Sequence, residues 1–192
     1  MPKPTELPTL TFESKKKFAD WLAKQYDKSA GGVWLKLAKK GTGIPSVTIT
    51  EALDVVLCYG WIDGQRASFD ENYYLQKYTP RRPRSTWSKI NVEKVERLIA
   101  SGEIKPAGLK AVEAAKQDGR WDAAYASQKT MTVPADFQSA LEKNRKAKAF
   151  FETLTGSRRY AFLFRIETAK KAETREKRIR IFVEMLEKRE TF

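Results

Sequence analysis

The residue types best suited to chemistry are basic and aromatic, and they gather in two short stretches. In YTPRRPRSTWSKIN, residues 78–91, Arg81, Arg82 and Arg84 interleave with Pro80 and Pro83, and Trp87 and Lys89 follow. Proline fixes its own φ and pushes the preceding residue toward extended backbone, so this stretch is not an ordinary helix interior. Ser85 or Thr86 is placed to cap a helix carrying Trp87 and Lys89 in its first turns. A helix N-terminus beside three planar guanidinium forks suits an anion, because each fork can meet a phosphate with two parallel hydrogen bonds. The plainer alternative is a solvated loop of basic composition. In EALDVVLCYGWIDGQ, residues 51–65, Tyr59 and Trp61 flank Gly60, and Asp63-Gly64 is a turn signal. These aromatics either seal a helix end against a sheet or wall a pocket with Asp63 at its rim. Cys58 falls near the C-terminal, negative end of that helix, which raises a thiol pKa, so it reads as a buried structural thiol and not a nucleophile.

A third basic stretch, SRRYAFLFRIETAKKAETREKRIRIF, begins at Ser157. Glu173 with Lys177 and Glu176 with Arg180 are i,i+4 pairs in the favourable order, so an ion-paired solvated face explains most of it. Lys170, Arg175 and Arg178 form a secondary basic face.

The absences narrow the chemistry further. Histidine is missing, which removes Ser-His-Asp and Cys-His systems and the usual zinc, iron and copper sites. The glycines fit neither the Rossmann nor the P-loop spacing, and no spaced Asp/Glu cluster points to magnesium. No catalytic residue, metal or cofactor is therefore expected. One cysteine excludes intramolecular disulfides and suits a reducing compartment. No apolar run is long enough to span a membrane, and the N-terminus lacks the apolar core of a secretory signal, so a cytoplasmic address is expected. The net charge is +13, spread along the chain: 16 Lys and Arg stand against 11 Asp and Glu through residue 96, and 21 against 13 beyond it. Such an excess favours encounter with polyanions or phosphorylated ligands, or serves only solubility.

The elements that must position these residues follow from periodicity. Residues 1–12 read as an extended arm, and Phe18, Trp21 and Leu22 predict a helix near 14–28. VWLKLAKK alternates like a half-buried strand. Thr48 and Glu51 have capping-box spacing, and the helix they start ends at Gly60. WIDGQRASFD and NYYLQKYT predict a hairpin around Asp70-Glu71-Asn72. Helices follow from residue 86, with Pro106 and Pro134 as starts and Gly102, Gly119 and Gly156 as stops. The expected class is α+β: a small antiparallel sheet with helices in the N-terminal half, and a helical C-terminal half. The domain division reads as the arm, an α+β domain over 13–125, and a C-terminal helical region over 135–192 packed on it.

The stretches EALDVVLCYGWIDGQ, TPRRPRSTWSKIN, AGLKAVEAAKQDGRWDAAY and RRYAFLFRIETAKKAETREKRI, in this order, resemble the YdeI/OmpD-associated, or bacteriocin-protection, family over residues 33–188. The resemblance puts the family's C-terminal signature on Ala169, Lys170, Glu173, Thr174, Arg175, Arg178 and Ile179, and implies a role in tolerance to antimicrobial peptides or stress. It carries over no catalytic residues. The reading that joins these lines is a non-enzymatic protein that binds an anionic partner. Arg81, Arg82, Arg84 and Lys89 would make the contact, and Tyr59, Trp61 and Trp87 would supply aromatic walls. Nucleic acid is favoured as that partner. The alternative is an enzyme or sensor for a small phosphorylated or acidic metabolite, with Asp63 or Glu51 as the acid/base.

Overall fold

The computed structural model describes residues 7–192, and the first half of the expected arm lies outside them. The chain divides into two compact units, each with its own hydrophobic core. The first unit runs to Trp87 and takes in Asn91–Ala123; the second comprises Ser88–Ile90 and Ala124–Phe192. The N-terminal half mixes strands and helices, the C-terminal half is helical, and the class is α+β.

In the first unit, Ser14 caps α1 (Lys15–Gln25) by accepting from the Lys17 amide, and Phe18 and Leu22 are fully buried on its inner face. β2 (Val33–Ala38) alternates as its sequence demands: Val33, Leu35 and Leu37 enter the core, while Trp34, Lys36 and Ala38 stay partly exposed. At the start of α2 (Ile49–Cys58) the capping box is complete. Thr48 accepts from the Glu51 amide, and the Glu51 carboxylate accepts from the Thr48 backbone N–H. The helix ends where Gly60 takes a φ of +72°, a conformation costly for any other residue type. Trp61 then starts β3 (Trp61–Ser68), which pairs antiparallel with β4 (Tyr73–Pro80) through a turn in which Asp70 Oδ1 accepts from the Asn72 and Tyr73 amides.

The sheet order is β1-β2-β4-β3, and all pairs are antiparallel except the edge, where β1 (Thr9–Leu10) lies parallel to β2. Thr9 and Leu10 are thus sheet and not arm. Asp63-Gly64 does not turn the chain either. The pair sits inside β3, where the register with β4 shifts between Asp63 and Arg66, and the turn chemistry is expressed as a bulge.

Two helices complete the tryptophan-bearing part of the chain. α3 (Lys89–Ala100) starts after Trp87, not before it, because Trp87 is drawn into the core instead of joining a helical turn. α4 (Pro106–Gln117) has Pro106 in its first turn. All five tryptophans, Trp21, Trp34, Trp61, Trp87 and Trp121, belong to the first unit.

The second unit contains α5 (Ala135–Glu142), α6 (Arg145–Thr153), α7 (Gly156–Glu167) and α8 (Ala172–Glu187). Phe137, Phe151, Phe162 and Phe182 meet edge to face in its core. Gly156, expected to end α6, instead opens α7, and Leu154 in extended conformation ends α6. Among the described residues no helix is long and apolar enough to cross a membrane.

Candidate functional site

The arginine loop borders a cationic recess of the first unit, and backbone contacts fix the loop in place. The Arg81 amide donates to Gly60 O at 3.0 Å. The loop then closes on itself, with the Arg82 amide donating to Ser85 Oγ at 3.0 Å and the Ser85 amide donating to Arg82 O at 2.9 Å. Below it, Trp87 is 2% exposed, and the Arg81 guanidinium lies 3.5 Å from the centre of its ring while Nη1 donates to Thr86 O. Trp87 in turn meets Trp121 edge to face at 4.8 Å. Arg120 ties the other side. Its Nε donates to both Asp118 carboxylate oxygens, and its Nη1 donates to Ser85 O at 2.9 Å.

These contacts leave a cleft of about 310 Å³ lined by Arg81, Arg82, Pro83, Arg120, Gly60 and the α4 residues Ala107, Lys110, Ala111 and Ala114. Four of the lining residues are cations and none is a carboxylate. The cleft exists because α4 comes unusually close to the end of α2. The Lys105 amide donates to Cys58 O at 3.0 Å. A Cβ on Gly108 would lie 2.3 Å from the same carbonyl, and one on Gly60 would lie 2.9 Å from Ala107 O. Two glycines thus permit the approach that sets Lys110 across from the loop.

The residues singled out from the sequence divide sharply. Arg81 and Arg82 line the cleft. Arg84 is exposed beyond it, and Lys89, also exposed, belongs to the second unit. Trp61 does not wall a pocket: it is 1% exposed, with its indole N–H donating to Tyr26 O at 3.1 Å, so it seals the helix end. Trp87 is likewise buried, and its role is to carry Arg81 on its face. Asp63 is exposed on β3 and does not line the cleft, so it is no rim to the pocket once drawn around Trp61. Tyr59 packs 5.1 Å from Tyr26, and burial raises its hydroxyl pKa.

Burial pushes the Cys58 thiol up to about 11, with the Glu103 carboxylate adding to the effect. In the secondary basic face, Arg175 holds Asp136 with a bidentate fork and donates Nη1 to Ile166 O, and Arg178 donates to Arg165 O. These two arginines join α8 to α5 and α7, while Lys170 is exposed. Lys110 and Arg120 are absent from the sequence-based set. Only the close approach through Gly60 and Gly108 brings them to the loop, and Gly108 inside an otherwise helical pattern was the one signal of it.

Two family models match the chain. One, described as Domain of unknown function (DUF8412), covers residues 10–111; the other, Bacteriocin-protection, YdeI or OmpD-Associated, covers residues 130–189. The YdeI/OmpD likeness is therefore borne by the C-terminal part, and EALDVVLCYGWIDGQ and the arginine loop fall under the first model. No curated protein and no solved structure matches the chain. The chain belongs to the family described as Domain of unknown function (DUF8412), and its residues 130–189 are similar to the family described as Bacteriocin-protection, YdeI or OmpD-Associated.

Proposed function

We propose that this chain is a cytoplasmic binding protein that recognises the phosphate group of an anionic partner in the cleft between the arginine loop and α4. One observation carries the reading: a recess in which Arg81, Arg82, Lys110 and Arg120 converge with no carboxylate among the lining residues. At about 310 Å³ the recess is at the small end of ligand pockets, which run from roughly 300 to 1,000 Å³. Arg81 and Arg120 are already held by protein carbonyls and the Asp118 carboxylate, so they supply fixed positive charge. Arg82 and Lys110 are the side chains with reach to a ligand. The buried tryptophans offer no stacking surface in the cleft, so what it reads is the phosphate itself, whether on a small ligand or in a nucleic-acid backbone. The bacteriocin-protection description of the C-terminal domain is consistent with a part in antimicrobial-peptide or stress tolerance. The single cysteine suits the reducing cytoplasm.

Calorimetric titration with pyrophosphate and with a single-stranded oligonucleotide, at low and moderate salt, tests this reading. Arg82→Ala with Lys110→Ala should weaken binding by about tenfold or more, as the loss of charge-assisted hydrogen bonds implies. Saturable pyrophosphate binding that the oligonucleotide does not displace identifies a small ligand. An oligonucleotide that competes with pyrophosphate identifies the polymer backbone. Binding of neither at low salt, or affinities untouched by the double substitution, overturns the proposal.

A further inference from the structure

We infer that the open face of the sheet in the first unit is a second binding surface, which stacks the bases of single-stranded nucleic acid. Alternation along the strands gives the sheet two unlike faces. Val33, Leu35, Leu37 and Tyr78 are all at most 1% exposed on the inner face. On the other face Trp34 stands opposite Lys77, Lys36 opposite Leu75, and Ala38 opposite Tyr73, and every one of these is partly exposed. A sheet face left open to water ordinarily carries polar side chains. This one carries Trp34, Leu75 and Tyr73, extended by Phe69, which is 50% exposed at the hairpin.

The cations of this face sit among its rings. Lys36 Nζ lies 4.2 Å from the centre of the Tyr73 ring and 4.4 Å from that of Phe69, and Lys77 Nζ lies 5.9 Å from that of Trp34. No acidic residue occupies an outward position on β2 or β4. The nearest carboxylate is that of Asp70 in the turn, 3.8 Å from Lys36. Flat rings interleaved with lysines on an antiparallel sheet match one ligand chemistry closely: unpaired bases stack on the rings while the lysines meet the intervening phosphates. Duplex presents no free base face to such a surface. A protein partner would call for a contiguous apolar patch, which the lysines interrupt. None of these residues lines the cationic cleft, so base stacking here holds whether or not the cleft takes phosphate.

Fluorescence anisotropy of the full chain with two oligomers of about 12 nucleotides tests the inference, one oligothymidylate and one abasic with the same phosphates. Oligothymidylate should bind about tenfold or more tightly than the abasic strand, given the usual contribution of one stacked base. Trp34→Ala with Tyr73→Ala should bring oligothymidylate down to the abasic affinity and leave the abasic affinity in place. Arg82→Ala with Lys110→Ala should leave the ratio between the strands intact, so failure at the cleft and failure at the sheet are told apart. The ratio in the unaltered protein needs no variant to fold. Equal affinities for the two strands, or a ratio that survives the Trp34/Tyr73 substitutions in a folded variant, would overturn the inference.

Discussion

At the scale of single residues, burial decides which groups are structural. Trp61 has a fully buried indole and a satisfied N–H, so Trp61→Ala should cost about 3–5 kcal/mol, read as a lowered midpoint of chemical denaturation. A variant as stable as the parent would contradict the assignment of Trp61 to the core. Cys58 should react slowly with a thiol reagent at pH 8 in the native protein and fully in denaturant, because burial holds its pKa at about 11. Rapid native labelling would show an accessible thiolate instead. Asp54 gives a pH prediction. Burial opposes its charge, but ion pairs with Lys94 and Arg97, both at 2.7 Å, outweigh burial and lower its pKa. A carboxylate with a lowered folded pKa stabilises fully above its unfolded pKa, and that stability fades as pH falls through the folded value. Asp54→Asn should therefore flatten the acid side of the stability profile, measured as the denaturation midpoint between neutral pH and pH 3.

At the scale of elements, much of the fold was legible because its signals are local. Ser14, Thr48 with Glu51, Pro106 and the alternation of VWLKLA each act within a few residues, and each element appears where these signals place it. Thr48→Ala should cost about 0.5–2 kcal/mol through loss of the cap. The cleft was only half legible. Arg81 and Arg82 announce themselves by composition, but Lys110 and Arg120 reach the loop through packing between elements distant in sequence. Local pattern also left Trp61 open between core and pocket wall, since periodicity assigns a side chain to a face without saying what covers that face. The close approach of α4 to α2 makes its own prediction. Gly108→Ala would force a methyl against the Cys58 carbonyl and should cost at least about 1–3 kcal/mol, with loss of the cleft's anion affinity. Retained stability in a thermal melt would mean that the two backbones separate readily.

At the scale of the whole molecule, the charge of +13 is general while its arrangement is specific. Long-range attraction to polyanions should weaken steeply with added salt, whereas contacts inside a cleft are screened less. The distribution of tryptophan has an optical consequence. With all five indoles in one unit and none in the other, intrinsic emission excited near the red edge of protein absorbance reports the first unit alone, while far-ultraviolet dichroism also registers the helices of the second. The chain thus carries its own two-channel thermometer: if the two cores melt separately, emission shows the midpoint of the first unit alone while dichroism shows that transition and a second one, without any label being attached.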